Sequence, residues 1–392
     1  MDIDSNIAEV RREFPVLRYK TYLNSAAHGP AMSRVWDAVQ EWWRFRLDEN
    51  RGYIPPDAKG EALKLINASA EEICWISRVT QGLNIIAGMV KAEKGENIVV
   101  TETGYPSNVF VWLPQREDGA EIRRIKTKGG RIETADFERA IDDKTKAVSM
   151  TRVEWTTGQL NDVKAISEAA HEHGALVVDD CYQAAGAVEM DVHLDDVDFL
   201  VFGGEKWLCC PCMNGVFYIR SDLIDQFEPV YRFYDNVEEA FRGGVPWGRP
   251  EHDNISDYTK PFYRNAEKFN RGCVSGEAVW AFNASLSYFN GLGVGNIQRR
   301  VRRLSGYLID GLRELGVTVN TPLEPSERGG LVTYTTGKHE LNKRSHETLT
   351  RNNIVTALRY QHGVGGIRVS THFFNTEEDI DRLLKVQRGL LN

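Results

Sequence analysis

Two short stretches decide the fold: Ala175-Leu176-Val177-Val178-Asp179-Asp180-Cys181-Tyr182-Gln183 and, after it, Phe199-Leu200-Val201-Phe202-Gly203-Gly204-Glu205-Lys206-Trp207-Leu208. Each opens on four apolar residues without a polar one between them. That is too short for a helix and too continuous for a strand with one wet face. It is the pattern of a strand buried on both sides, as in a parallel sheet covered by helices. The first stretch then ends in acids and the second in two glycines, an acid and a lysine.

The same texture continues outward. Glu72 to Ile76, Asn97 to Thr101, Ile122 to Ile125, Ala147 to Met150 and Val216 to Ile219 read as further short strands. Helical patterns lie between them, one from Gln81 to Val90 and one from about Val163 to His173 that stops at Gly174. Strand and helix in alternation predict an α/β fold with a mainly parallel sheet. Beyond residue 225 the pattern changes. Residues 231 to 275 are rich in Tyr, Phe, Arg, Gly and Pro, and Tyr231, Phe233, Tyr234 and Trp247 are expected to line a pocket or an interface. A long helical stretch follows over 276–315, then strands near 330–334 and 366–370 and a last helix over 377–391. The predicted organisation is an N-terminal segment 1–20 packed on a domain, a large α/β domain over 21–255 and a smaller α+β domain over 256–392.

Composition narrows the function classes. The 392 residues are 42% hydrophobic and 27% charged, with 48 Lys+Arg against 56 Asp+Glu, a net charge of −8. That balance argues against a general polyanion binder, and Arg299, Arg300, Arg302 and Arg303 read as a solvated helix face, not a nucleic-acid patch. No apolar run reaches the ~18 residues of a membrane span, and the acidic start Met1-Asp2-Ile3-Asp4 lacks a secretory h-region. A cytoplasmic protein with reduced thiols is expected. The six cysteines include Cys209-Cys210-Pro211-Cys212, but three thiols in four residues lack the paired spacing of a zinc site, so no metal is expected.

Ligands of open α/β sheets bind just past the carboxyl ends of the strands. Three such ends are suggestive. Thr80-Gln81-Gly82 opens a helix, whose free amides and dipole suit a phosphate. Asp179-Asp180 supplies an acid, and Lys206 an amine. A phosphate seat, an acid and a lysine are the parts that hold pyridoxal 5'-phosphate: the lysine forms a Schiff base, and the acid keeps the ring nitrogen protonated so that the ring draws electrons.

At these residues the chain resembles the class V aminotransferase-like enzymes of PLP fold type I. That group includes cysteine desulfurases, selenocysteine lyase, kynureninase, cystine C–S lyase and isopenicillin N epimerase. The resemblance runs from Tyr22-Leu23-Asn24-Ser25-Ala26-Ala27 to His372-Phe373-Phe374-Asn375-Thr376, and its most specific piece is Asp180-Cys181-Tyr182-Gln183 followed 26 residues later by Lys206-Trp207-Leu208. It implies that Asp180 faces the pyridine nitrogen, that Gln183 lies near the ring hydroxyl and that Lys206 carries the cofactor. It further implies Thr80 and Gln81 at the phosphate, Tyr105 stacked on the ring, and Thr156 near the ring hydroxyl. Arg368 is implied as the clamp on the substrate carboxylate, with Asn24 and His28 approaching the substrate and His28 as a possible acid/base. Gly204 and Cys273 stand where relatives hold the phosphate, Cys273 from the neighbouring subunit of a homodimer with shared active sites.

Departures matter as much. Relatives have Gly-Ala at Cys181-Tyr182, and often His at Glu205, where an acid beside a phosphate is repulsive. No cysteine follows Arg368, so a desulfurase that stores sulfur as a persulfide is disfavoured. The resemblance implies a PLP enzyme acting at Cα and Cβ of an amino acid. A β-eliminating C–S or related lyase is favoured, with a class V aminotransferase, an epimerase and a non-catalytic scaffold as alternatives.

Overall fold

The computed structural model describes residues 2–48, 56–212, 214–232, 236–237, 262–270, 272 and 275–391. The strands there are β1 (Thr21–Tyr22), β2 (Ile73–Ile76), β3 (Asn97–Thr101), β4 (Glu121–Ile125), β5 (Thr145–Thr151), β6 (Leu176–Asp180), β7 (Phe199–Gly203), β8 (Gly215–Ile219), β9 (Thr318–Val319), β10 (Leu331–Thr335), β11 (Ile354–Val355), β12 (Ala357–Gln361) and β13 (Val364–Ser370). Seven of them form one sheet in the order β2-β8-β7-β6-β5-β3-β4. The pairs β3–β4, β3–β5, β5–β6 and β6–β7 are parallel, while β8 runs antiparallel to both β7 and β2.

The continuous apolar runs have the expected cause. Val99, Val148, Met150, Val177, Leu200 and Phe202 point into one core, and Ile98, Val100, Ala147, Val178, Phe199 and Val201 into another. Successive side chains of a strand alternate faces, so a sheet covered on both sides needs apolar residues at every position. The helix Val163–His171 is capped by the Asp162 side chain, which accepts from the Ala165 amide, and Gly174 takes a left-handed φ of 71° just beyond it.

The smaller sheet has the order β12-β13-β10-β9 and is antiparallel throughout. Helices Val294–Glu314, His339–Arg351 and Glu377–Leu391 cover it through Leu304, Leu308, Leu349, Ile380 and Leu383, packed on Val332, Ile367 and Val369. The single helix expected over 276–315 is two, Gly276–Leu292 and Val294–Glu314, because Gly293 takes a φ of 79°. The expected domain boundary at 255/256 lies outside the described residues. Ala281, Phe282, Leu286 and Phe289 of the helix Gly276–Leu292 enter the core of the large sheet.

The N-terminal segment ties both units together. Val10 and Phe14 are buried, Phe14 meets the Phe373 and Phe374 rings, and Arg11 pairs with Asp379 at 2.7 Å. β1 then pairs in parallel with β11. The arginine-rich helix face is engaged from within: Arg300 donates to the carbonyls of Phe373 and Asn375, and both Arg300 and Arg303 pair with Asp4.

Candidate active site

The parallel strands β3, β5, β6 and β7 all end at one edge of the large sheet. The turn after β3 carries Tyr105 and Asn108, the turn after β5 carries Trp155 and Thr156, β6 ends in Asp180, and β7 leads to Lys206. The register places Thr151 beside Asp180 and Asp180 beside Val201.

Alternation along β6 separates its two acids. Asp179 turns to Arg152, whose Nε and Nη2 donate to its Oδ2 at 2.8 and 2.6 Å. Asp180 faces the other way. Its Oδ1 accepts from the Tyr182 amide at 2.9 Å, and its Oδ2 accepts from Asn108 Nδ2 at 2.7 Å. Ser149 Oγ in turn donates to Asn108 Oδ1 at 3.2 Å, which fixes the amide's orientation. Burial pushes the Asp180 carboxyl up to about 6, against the pull of the Tyr182 amide, the Asn108 side chain and the Lys206 charge.

Lys206 is 9% exposed. Burial lowers its ammonium to about 8, opposed by the charge of Asp180 and reinforced by that of Arg368. Its Nζ lies 3.7 Å from the centre of the Tyr182 ring and 5.5 Å from that of Tyr105. The lysine turn is held from two sides. Gly29 donates its amide to the Glu205 carbonyl at 2.9 Å. His372 bonds the Trp207 carbonyl through Nε2 at 2.7 Å while its Nδ1 accepts from the Phe373 amide. Burial holds the His372 ring down to about 3, so it is neutral.

Arg368 approaches the same site from β13, where its charge acts on Lys206. Its Nη1 donates to the Trp155 carbonyl at 2.9 Å, and its buried Nε has no partner. Burial and then the neighbouring Arg359 lower the guanidinium to about 9, with Tyr105 opposing. Among the described residues it meets no carboxylate. A buried cation with an idle donor suits an incoming anion.

The remaining expected residues divide. Thr80, exposed, shares a hydrogen bond with Ser107 Oγ at 3.0 Å at the start of the helix Val79–Met89, which has no side-chain cap. Gln81 accepts at Oε1 from Ser77 N and Oγ, so its carbonyl is occupied within the turn. Tyr105 is 41% exposed and meets Trp155 edge-on at 5.6 Å. Gln183 accepts from Trp207 Nε1 and donates to the Ala26 carbonyl, binding the lysine turn to the N-terminal loop. The Thr156 hydroxyl donates to Gln361 of β12, a tie between sheets. Gly204 gives its amide to the Asn214 carbonyl. Asn24 Oδ1 is buried without a partner, whereas His28 is exposed with its Nδ1 on the Ala27 carbonyl. Cys273, like Phe233, Tyr234 and Trp247, lies outside the described residues.

The cysteine cluster is dispersed in role. Cys209 and Cys210 are buried, which raises their thiols, and Cys212 is exposed with its thiol raised by the neighbouring Glu205. Among the described residues no group of three or more His, Cys, Asp or Glu is arranged to hold a metal ion. Asn108, Tyr182, Trp155 and His372 are site residues that sequence reasoning did not assign a role. Asn108 carried a signal through its place three residues after Tyr105 in the same turn, and Tyr182 carried one as a departure from the family's Gly-Ala.

These features fit pyridoxal phosphate at the amine and the ring. Tyr105 presents an open aromatic face, Asp180 is a buried carboxyl beside a lysine, and the guanidinium of Arg368 has a free donor. At the phosphate end the uncapped helix fits and Glu205 does not. Comparison with known proteins agrees. The model of the family "aminotransferase class-V" matches residues 21–383. A probable cysteine desulfurase of Methanothermobacter thermautotrophicus is 27% identical over 96% of this chain and 96% of its own. The fold matches the apo structure of a cysteine desulfurase from Thermococcus onnurineus NA1 with a TM-score of 0.85 at 23% identity, over 98% of each chain. It matches the cystine C–S lyase C-DES in complex with its product cysteine persulfide with a TM-score of 0.83 at 21% identity, over 96% of this chain and 99% of that one. The chain belongs to the class V aminotransferase family and is a PLP-dependent enzyme.

Proposed function

We propose that this member of the class V aminotransferase family acts on an amino acid at Cα and Cβ as a β-eliminating lyase of a C–S or related bond. The observation that carries the amino-acid reading is the buried Arg368, with an idle Nε, no acid beside it among the described residues, and a charge near enough to act on Lys206. The guanidinium binds the substrate carboxylate and so orients Cα toward the lysine. PLP, when bound, supplies an aldehyde for the amine and a ring that withdraws electrons from Cα. Lys206 Nζ takes the Cα proton, a role for which an amine near neutrality is suited. Asp180, whose carboxylate is held in place by Asn108 and the Tyr182 amide, would keep the ring nitrogen protonated. His372 and Gly29 keep the lysine turn in place.

Loss of the β-substituent without an enzyme persulfide is supported by the thiols. Every described cysteine has its thiol held up, by burial or by Glu205, and a thiol so held is a poor sulfur acceptor. A homodimer in the cytoplasm completes the reading. Trp36, Trp43 and Leu47 are exposed along one stripe of the helix Ser33–Leu47, and among the described residues no helix is long and apolar enough to cross a membrane. The test is a screen of amino acids for keto-acid release by the holoenzyme. Release without an acceptor supports the lyase. Release only with an acceptor means an aminotransferase, and inversion alone an epimerase. Arg368→Gln is expected to weaken amino-acid binding about tenfold to a hundredfold, the cost of a charge-assisted pair. Unchanged binding overturns the clamp.

A further inference from the structure

One side chain of the small sheet reaches both turns that frame the site. Gln361 ends β12, and its partner across the ladder is Val364, the first residue of β13. His362 and Gly363 between them take φ of 47° and 79°. Two left-handed residues in succession make a tight hairpin turn whose twist suits the strands, so the hairpin's own backbone fixes the place of Gln361. Arg368 lies farther along the same β13, roughly 13 Å from Val364 at 3.3 Å per residue.

The Gln361 amide is occupied at both ends. Its Nε2 donates to the carbonyls of Glu102 and Gly104 at 2.7 and 2.9 Å, and its Oε1 accepts from the Thr156 hydroxyl at 3.1 Å. Carbonyls only accept, so the amide must turn its NH2 to that pair, and its orientation follows. Glu102 and Gly104 belong to the turn that carries Tyr105. Thr156 follows Trp155, whose carbonyl takes Arg368. The small sheet grips this second turn again. Thr333, the ladder partner of Arg368, donates to the Thr156 carbonyl at 2.5 Å, and Thr321 to the Thr157 carbonyl at 2.6 Å. The Tyr105 turn has no such reserve: among the described residues, no other side chain of the small sheet hydrogen-bonds residues 102–108.

Tyr105 comes to Lys206 from the large sheet, its ring centre 5.5 Å from Nζ, and Arg368 comes from the small one. Groups that meet one small ligand from two sheets must be held within about 0.5 Å of their working places. We propose that Gln361 is a positioning residue that sets the Tyr105 turn against the strand of the carboxylate clamp Arg368. It acts through those residues, since its own hydrogen bonds all go to the protein. The inference rests on Arg368 as the clamp.

The test compares glycine, which has an amine and a carboxylate, with methylamine, which has the amine alone, in titrations of the holoenzyme followed by the absorbance of the bound cofactor. Neither probe has a side chain to be selected, so the ratio of their affinities reads the carboxylate contact. The variants are Gln361→Met, of similar reach but without the hydrogen bonds, Gln361→Glu, which still accepts from Thr156 but turns a carboxylate on two carbonyls, and Arg368→Gln as the reference. Gln361→Met is expected to weaken glycine about threefold to tenfold and methylamine less than about twofold. Gln361→Glu should be at least as damaging. In the apo chain, hydrogen exchange over residues 103–108 should quicken in Gln361→Met while the helix Gly276–Leu292 keeps its parent rate. Equal losses for the two probes, an unchanged ratio, or unchanged exchange over 103–108 overturns the proposal. A Gln361→Glu chain that binds glycine as the parent does overturns it too, since the two donors then do nothing. If Arg368→Gln leaves the ratio at its parent value, the clamp reading fails and the proposal falls with it. If Arg368→Gln shifts the ratio and Gln361→Met does not, the clamp stands and the proposal alone fails.

Discussion

Gly29 is where the N-terminal loop rests on the lysine turn, and Gly29→Ala tests how tightly that turn must be held. A Cβ at this position would sit 2.1 Å from the Lys206 carbonyl oxygen and 2.7 Å from the Cys209 Cα. Both are backbone atoms, so no side chain can swing aside. Real Cβ contacts stop near 3.0 Å, so the two loops must part by about 0.9 Å, the difference from 2.1 Å. The Gly29 amide would then leave the Glu205 carbonyl, now at 2.9 Å. Overpacking of this kind costs about 1–3 kcal/mol of stability. The effect on chemistry is larger, since a misplacement near 1 Å costs on the order of a hundredfold in rate. The assay is the rate at which added pyridoxal phosphate becomes reducible by borohydride at Lys206, read by peptide mass, alongside chemical denaturation. Gly291→Ala is the control. Its Cβ would meet nothing within 4 Å, and in a helix the change adds up to about 1 kcal/mol of stability. A Gly29→Ala chain that stays folded and labels Lys206 within about twofold of the parent rate would refute the reasoning, because a shift of that size cannot be silent.

Two further predictions follow from burial. Lys206 titrates near 8, so about one amine in ten is free at pH 7, against roughly one in three thousand for an ordinary lysine. Condensation of the apo chain with pyridoxal phosphate should rise with pH and level off above about 8. Asp180→Asn should move that midpoint lower, because the Asp180 charge is what favours the ammonium. A midpoint near the ordinary lysine value would contradict the burial argument. Arg152→Met leaves Asp179, fully buried, with only the Cys181 thiol as donor, and should cost about 3–5 kcal/mol in denaturant unfolding. A loss under 1 kcal/mol would mean that the ion pair is dispensable.

The exposed stripe on the helix Ser33–Leu47 and the site at the sheet edge belong to different levels of the same chain. The stripe belongs to the proposed dimer, whereas the proposed chemistry depends on a turn of about five residues after β7 and on what presses against it. That turn is braced by Gly29 from one end of the sequence and His372 from the other. A change remote in sequence can thus reach the reacting amine through one backbone contact.

The succession of strands along the chain and the placement of an acid and a lysine at strand ends were legible in the sequence. Apolar runs, turns and helix caps are local, and a buried parallel sheet writes itself as continuous β-branched residues. The resemblance added which lysine and which acid. Several things waited for the tertiary structure. Asp179 and Asp180 are equivalent as letters; the resemblance singles out Asp180, and the pleat, with Arg152 on one side and Asn108 on the other, supplies the physical reason. Gln183 and Thr156 were expected at the cofactor, but their hydrogen bonds also serve Trp207 and Gln361, partners that no spacing reveals. Arg368 was implied as a carboxylate clamp, but its hold on the Trp155 carbonyl shows only in the fold. The physical reason is common to all three: the local pattern records which face of its own element a residue occupies, but not which distant element folding brings against that face.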